Sequence, residues 1–119
     1  MRDPQKLTVY QKACDLADLV YNLTERFPRD QLFVLTSQMR RAAISMYSNI
    51  AEGCGRRSQA DYAHFLDMAF GSAMELQAHV DMARRNGFIE ESAAQALAEK
   101  ASEVKKVPTG LLKFLRSGV

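Results

Sequence analysis

Residues 58–86 read SQADYAHFLDMAFGSAMELQAHVDMARRN. Within them Tyr62, Phe65, Leu66, Ala69, Ala73, Leu76, Val80 and Ala83 recur at steps of mostly three and four. That period lines one face of an α-helix for about six turns, whereas a strand would alternate at every second residue. Ser58, with Asp61 three residues on, resembles a capping box in which Asp replaces the preferred Glu. Gly87 is the expected stop. The segment is therefore predicted helical from Ser58 to Asn86, with Phe70 and Met74 lying off its core face.

The same reading extends outward in both directions. A second helix is predicted from Leu32 to Ala51, with Asp30 as N-cap and Gly53 as the left-handed residue that ends it. Leu35, Met39, Ala42, Met46 and Ile50 form its core stripe. Ala43, Ile44, Tyr47 and Ala51 form a second apolar line beside it. Gln38, Arg41, Ser45, Ser48 and Glu52 form a polar line at helical spacing. A first helix spans Thr8 to Arg26, with Ala13, Leu16, Val20, Leu23 and Phe27 inward, and Pro28 stops it. A fourth runs from Glu90 to Leu115, with Ala93, Leu97, Val104 and Leu111 inward. Pro108 falls inside that pattern and is expected to kink or split the helix. Four helices joined by short loops predict an all-α, antiparallel up-down-up-down bundle, one domain over residues 1–119 with almost no sheet.

Composition agrees with a self-sufficient domain. At 119 residues, 47% hydrophobic and 25% charged, the chain can bury a core without disulfide or metal. Cys14 and Cys54 stand forty positions apart with no CxxC, and read as reduced thiols. The polar start (Met1-Arg-Asp-Pro-Gln-Lys6) is not the beginning of a signal peptide, and no run approaches the ~18 apolar residues of a membrane span. A cytoplasmic location is expected. The net charge of +2 is too small for whole-protein attraction to a polyanion. The bases cluster instead, as Arg40-Arg41, Arg56-Arg57, Arg84-Arg85 and Lys105-Lys106, and such doublets either build a local basic patch or coat a solvated helix.

Catalytic signals are thin. His64 and His79 are the two histidines. Asp61-x-x-His64 has the spacing of one half of a di-iron carboxylate motif, but a di-iron bundle needs a second such pair on another helix and two further glutamates. There is no HExxH, P-loop or GxSxG motif and no metal-spaced cysteine set. No cofactor is expected. The turn Gly53-Cys-Gly-Arg-Arg-Ser58 is the best local candidate. Its glycines let the backbone approach a ligand, a helix begins beside it, and two arginines flank it, a combination that suits a phosphate oxygen. The same residues also serve as an ordinary helix stop, turn and cap. Arg41 lies within about a turn of Glu75 when helices two and three are laid antiparallel, so an interhelical ion pair is expected there.

Ile44 and Tyr47 on helix two, and Phe70 and Met74 on helix three, exceed the single apolar stripe that a bundle helix needs. They either widen the core or meet another chain. They are the candidate oligomer-interface residues.

Leu35-Thr-Ser-Gln-Met-Arg-Arg-Ala-Ala-Ile-Ser45, Ser48-Asn-Ile-Ala-Glu-Gly53 and Gly55-Arg-Arg-Ser58 resemble the four-helix-bundle proteins encoded by intervening sequences of bacterial 23S ribosomal RNA genes. The resemblance continues through Phe65-Leu66, Ala69, Gly71-Ser72 and Glu75, and includes Val9-Tyr-Gln-Lys-Ala13 and Phe27-Pro28. It covers the chain to about Ile89. Tyr47 stands where the family often has proline and Cys54 where it often has an aromatic. The resemblance implies a small antiparallel bundle that assembles as a ring-like homopentamer. It also implies kinship in fold with the accessory protein of diversity-generating retroelements, which works with a reverse transcriptase and nucleic acid.

The expectation from residues and resemblance together is a non-enzymatic homo-oligomer that binds RNA or DNA through Arg56, Arg57, Arg40, Arg41, Lys105 and Lys106. The alternative is a scaffold that grips another protein and no nucleic acid.

Overall fold

The computed structural model describes the backbone of residues 2–116 and the side chains of residues 2–105. Four helices carry the fold: α1 (Thr8–Thr24), α2 (Ser37–Cys54), α3 (Gln59–Arg85) and α4 (Glu91–Arg116). No strand occurs among the described residues. Each helix packs on two neighbours, α1 on α2 and α4, and α3 on α2 and α4, in a rod of 48 × 20 × 20 Å.

Side-chain contacts give the sense of each pairing. Ser72 of α3 donates to Ser45 of α2 at 2.7 Å, while the start of α3 lies against Gly53 at the end of α2. Gln77 of α3 donates to the Ala98 carbonyl of α4 at 3.2 Å, and Arg84 lies 3.7 Å from Glu91. Arg40 of α2 donates to Thr24 of α1 at 2.9 Å, while the Arg2 backbone N–H donates to the Cys54 carbonyl at 3.2 Å. Along α2–α3 and α3–α4, numbers rise on one helix as they fall on its neighbour.

The helix ends follow local chemistry. Asp3 accepts a hydrogen bond from the Gln5 N–H and caps a short 3₁₀ turn, Pro4–Lys6, that leads into α1. Ser58 accepts from the Asp61 N–H at 3.0 Å, which is the serine half of the expected capping box. At the far end of α3, Gly87 has φ +75°, the Phe88 N–H donates to the Ala83 carbonyl at 2.9 Å, and the Gly87 N–H donates to the Arg84 carbonyl at 3.1 Å. These two bonds form a Schellman cap.

Two expected features of α2 differ. Asp30 makes no capping bond; it sits in a 3₁₀ turn, Arg29–Gln31, that runs into one wide π-helical turn, Leu32–Thr36, before α2 proper. Gly53 does not end α2, which stays helical through Cys54 with Gly55 at φ −83°. Its missing side chain serves packing: a Cβ there would stand 2.9 Å from the Phe65 Cβ and 3.1 Å from Tyr62 Cδ1. Of the two outcomes expected at Pro108, a kink or a split, the split does not occur: α4 continues across it as one helix.

The core takes alternating large and small residues from all four helices, including Leu16, Met39, Met46, Ile50, Leu66, Leu76 and Leu97, with Ala13, Ala43, Ala69, Ala73, Ala83 and Ala101 between them. Close-packed alanines bring the helix axes together, and longer side chains fill the layers between. Leu23, Leu35, Phe65 and Ala93, expected inward, are half-buried at the seams. Thr24 is buried instead, because its hydroxyl donates to the Val20 carbonyl at 2.7 Å and accepts from Arg40. Leu111 lies outside the described side chains.

Two measurements test this packing. Leu66→Ala or Leu76→Ala, each removing a side chain with no solvent exposure, is expected to cost about 2–5 kcal/mol by urea unfolding; a change near zero would mean the stripe is not core. For Gly53→Ala the sign decides. Alanine at an open helical site stabilises by about 0.5–1 kcal/mol, so a net loss of about 1–3 kcal/mol is the expected signature of tight α2–α3 contact.

Candidate nucleic-acid interface

The end of α2, the turn that follows and the start of α3 meet the N-terminal segment at one end of the rod. Arg2, Gly55, Arg56 and Arg57 line a depression of about 500 Å³ there. The three guanidinium groups are held differently. Arg56 bonds Glu52 one turn back at 2.7 Å and lies 4.6 Å over the Phe65 ring. Arg2 lies 3.8 Å over the Tyr62 ring, with its backbone tied to Cys54. Arg57 is exposed and makes no hydrogen bond or ion pair among the described residues. Tyr62 and Phe65 stand one turn apart on α3, so a single helix carries both aromatic platforms.

Beneath this surface the titratable groups are neutral. Burial pushes the Cys54 thiol above its ordinary range, with Arg2 pulling weakly the other way, and burial likewise raises the Tyr62 hydroxyl. Cys54 and Tyr62 are each 1% exposed, and Tyr62 meets Arg2 through its ring.

The remaining basic residues are not gathered here. Arg40 and Arg41 lie about 22 Å back along α2 at 1.5 Å per residue. Arg40 is engaged within the fold, donating to Thr24 and lying 4.9 Å over the Tyr21 ring. Arg41 is exposed on the α2–α3 seam, where with Gln38, Ala42, Ser45, Ser72 and Glu75 it lines a polar cleft of about 290 Å³. The expected Arg41–Glu75 ion pair does not form; Glu75 turns instead to His79 on its own helix, at 3.4 Å. Lys105 donates to Gln77 at 2.6 Å on the α3–α4 seam, and its Nζ lies 3.3 Å from the Met74 sulfur. The Lys106 side chain is outside the described residues. Of the five basic residues named from sequence whose side chains are described, Arg56 and Arg57 line this depression and Arg40, Arg41 and Lys105 do not.

Arg2 is the member that sequence reasoning missed. It is remote in sequence, and only the fold returns the N-terminal segment to the end of α2. The Glu52–Arg56 pair, by contrast, stood at i, i+4 spacing in the sequence.

The apolar residues proposed for contact divide as well. Ile44 is half-buried, Tyr47 and Phe70 lean against the core, and Met74 is 56% exposed. Among the described residues an exposed apolar group lies elsewhere: Leu32, Phe33 and Val34 on the π-helical turn, with Phe33 89% exposed. Four consecutive apolar residues, Leu32 to Leu35, cannot all face one core on a helix, so that signal was present in the sequence. Among the described residues no group of three His, Cys, Asp or Glu could hold a metal ion, and no helix is long and apolar enough to cross a membrane.

A crystal structure of a protein of unknown function from the S23 ribosomal protein family of Bacteroides thetaiotaomicron VPI-5482 shares the fold. Its TM-score is 0.83 at 24% identity, covering 89% of this chain and 99% of that one. No curated protein matches the sequence. The sequence profile of the family described as 23S rRNA-intervening sequence protein matches residues 5–110, and with nearly the whole bundle inside that match, the chain belongs to this family.

Proposed function

We propose that the chain is a non-enzymatic, cytoplasmic homo-oligomer, with a pentamer as the favoured state, whose basic end contacts the phosphates of RNA or DNA. The observation that carries this reading is the depression in which Arg2, Arg56 and Arg57 converge, with no carboxylate among the described residues that line it. Each chain is only +2. A ring of identical chains repeats the arginine cluster once per subunit and turns it into a band of positive charge. Such a band engages several phosphates together, giving avidity and a steep dependence on salt. The family's name, which ties it to ribosomal RNA genes, agrees with a nucleic-acid partner.

A second reading is a protein-binding scaffold. The exposed Leu32, Phe33 and Val34 favour it, because clustered apolar side chains on a surface mark a contact with another protein.

Arg56→Ala combined with Arg57→Ala is expected to weaken polynucleotide binding by a similar factor across sequences, since phosphate contacts read no bases. The titration is run on wild type and double variant at two salt concentrations, with circular dichroism and hydrodynamic mass as controls. The wild-type mass should be a multiple of 13.4 kDa. A wild type that binds no nucleic acid even at low salt removes the leading reading in favour of the scaffold.

A further inference from the structure

We propose that the depression formed by Arg2, Gly55, Arg56 and Arg57 receives a terminal phosphomonoester of a nucleic-acid strand, in preference to the internal diester backbone. The inference rests on the nucleic-acid reading above and names the group that this site recognises.

Shape is the first argument. The depression is concave and about 500 Å³ in volume, bounded by three side chains and a glycine. That is room for one phosphate with its sugar, whereas a continuous backbone tracks along an open groove or stripe. Gly55 keeps the floor open. Its φ of −83° suits any residue, and a Cβ there would meet only the Glu52 carbonyl at 3.5 Å, an ordinary contact. The fold therefore does not require glycine at 55.

Charge is the second. The lining carries three guanidinium groups, and Glu52 behind Arg56 removes one positive charge, which leaves two. A phosphomonoester at neutral pH carries about −1.5 to −2 and presents three strong acceptor oxygens; an internal diester carries a single charge. The match is to the monoester.

Preorganisation is the third. Arg2 is stacked on Tyr62 at 3.8 Å, and Arg56 is held between Phe65 at 4.6 Å and Glu52 at 2.7 Å. A guanidinium fixed in plane offers its paired N–H donors to phosphate oxygens with less ordering on binding. Arg57, free of protein partners among the described residues, closes over the third oxygen.

The test uses the full chain and one oligoribonucleotide sequence in three forms: 5′-phosphorylated, 3′-phosphorylated, and hydroxyl at both ends. Binding is read by fluorescence anisotropy. One phosphorylated form is expected to bind about tenfold or more tightly than the hydroxyl form, and which form does so tells which end is received. Arg57→Ala, which removes a side chain with no hydrogen bond or ion pair among the described residues, and Gly55→Ala, which adds a methyl group to the lining, are both expected to shrink that preference to less than about threefold, the phosphorylated form losing more affinity than the hydroxyl form. Arg2→Lys keeps the charge but loses the stacked fork, and is expected to reduce the preference likewise. Equal binding of all three forms to wild type overturns the end-specific proposal and leaves the nucleic-acid reading standing. An end preference that persists in Arg57→Ala and Gly55→Ala also overturns it, because the recognition then lies elsewhere. Absence of binding by every form removes the nucleic-acid reading and this proposal together.

Discussion

The contact of α2 with α3 at Gly53 is the constraint on which the rest of the structure depends. A helix pair approaches this closely only where one partner lacks a side chain, and Gly53 has Phe65 and Tyr62 directly against its bare Cα face. The approach fixes the first turns of α3 relative to the end of α2. It therefore fixes the two aromatic rings on which Arg56 and Arg2 rest. Ser45 and Ser72, hydrogen-bonded at 2.7 Å, continue the same seam toward the middle of the bundle. A residue that reads in the sequence as the end of a helix is in fact the one that lets two helices meet.

The helices were legible because their apolar residues keep the 3.6-residue period, and because Ser58, Pro28 and Gly87 mark ends by chemistry that acts locally. Gly53 was misread because a glycine near a helix end carries the same letter whether it adopts positive φ or makes room for a neighbour. Asp30 was misread because the wide turn at Leu32–Thr36 displaces the start of α2 past it. The site was half legible. Arg56 and Arg57 are adjacent in sequence, and Glu52 stands one turn before Arg56. Arg2 joins them only because the chain's beginning packs on Cys54, fifty-two positions away, and no local pattern encodes that contact. The missing Arg41–Glu75 pair shows the opposite limit: two side chains can line one cleft while a nearer partner, His79, takes the carboxylate.

The basic groups are held in two different ways. Arg40 is committed to Thr24 and Tyr21, and Lys105 to Gln77, so these side chains brace helix seams. At the Arg56–Arg57 end the partners are different in kind. Aromatic rings and one carboxylate orient the guanidinium groups yet leave a depression between them. Stacking of this sort keeps an arginine ordered without consuming its hydrogen-bond donors, which is the arrangement an anion site requires.

We propose this end of the rod, and not the Arg40–Arg41 end, as the place where a phosphate sits. A crystal structure of the full chain with a phosphorylated oligoribonucleotide tests it most directly. Phosphate oxygens are expected within hydrogen-bond distance of the Arg2, Arg56 and Arg57 guanidinium groups, with the bundle unchanged. Ordered phosphate bound in the Arg41 cleft or beside Arg40, with the depression at Gly55 empty, would contradict it.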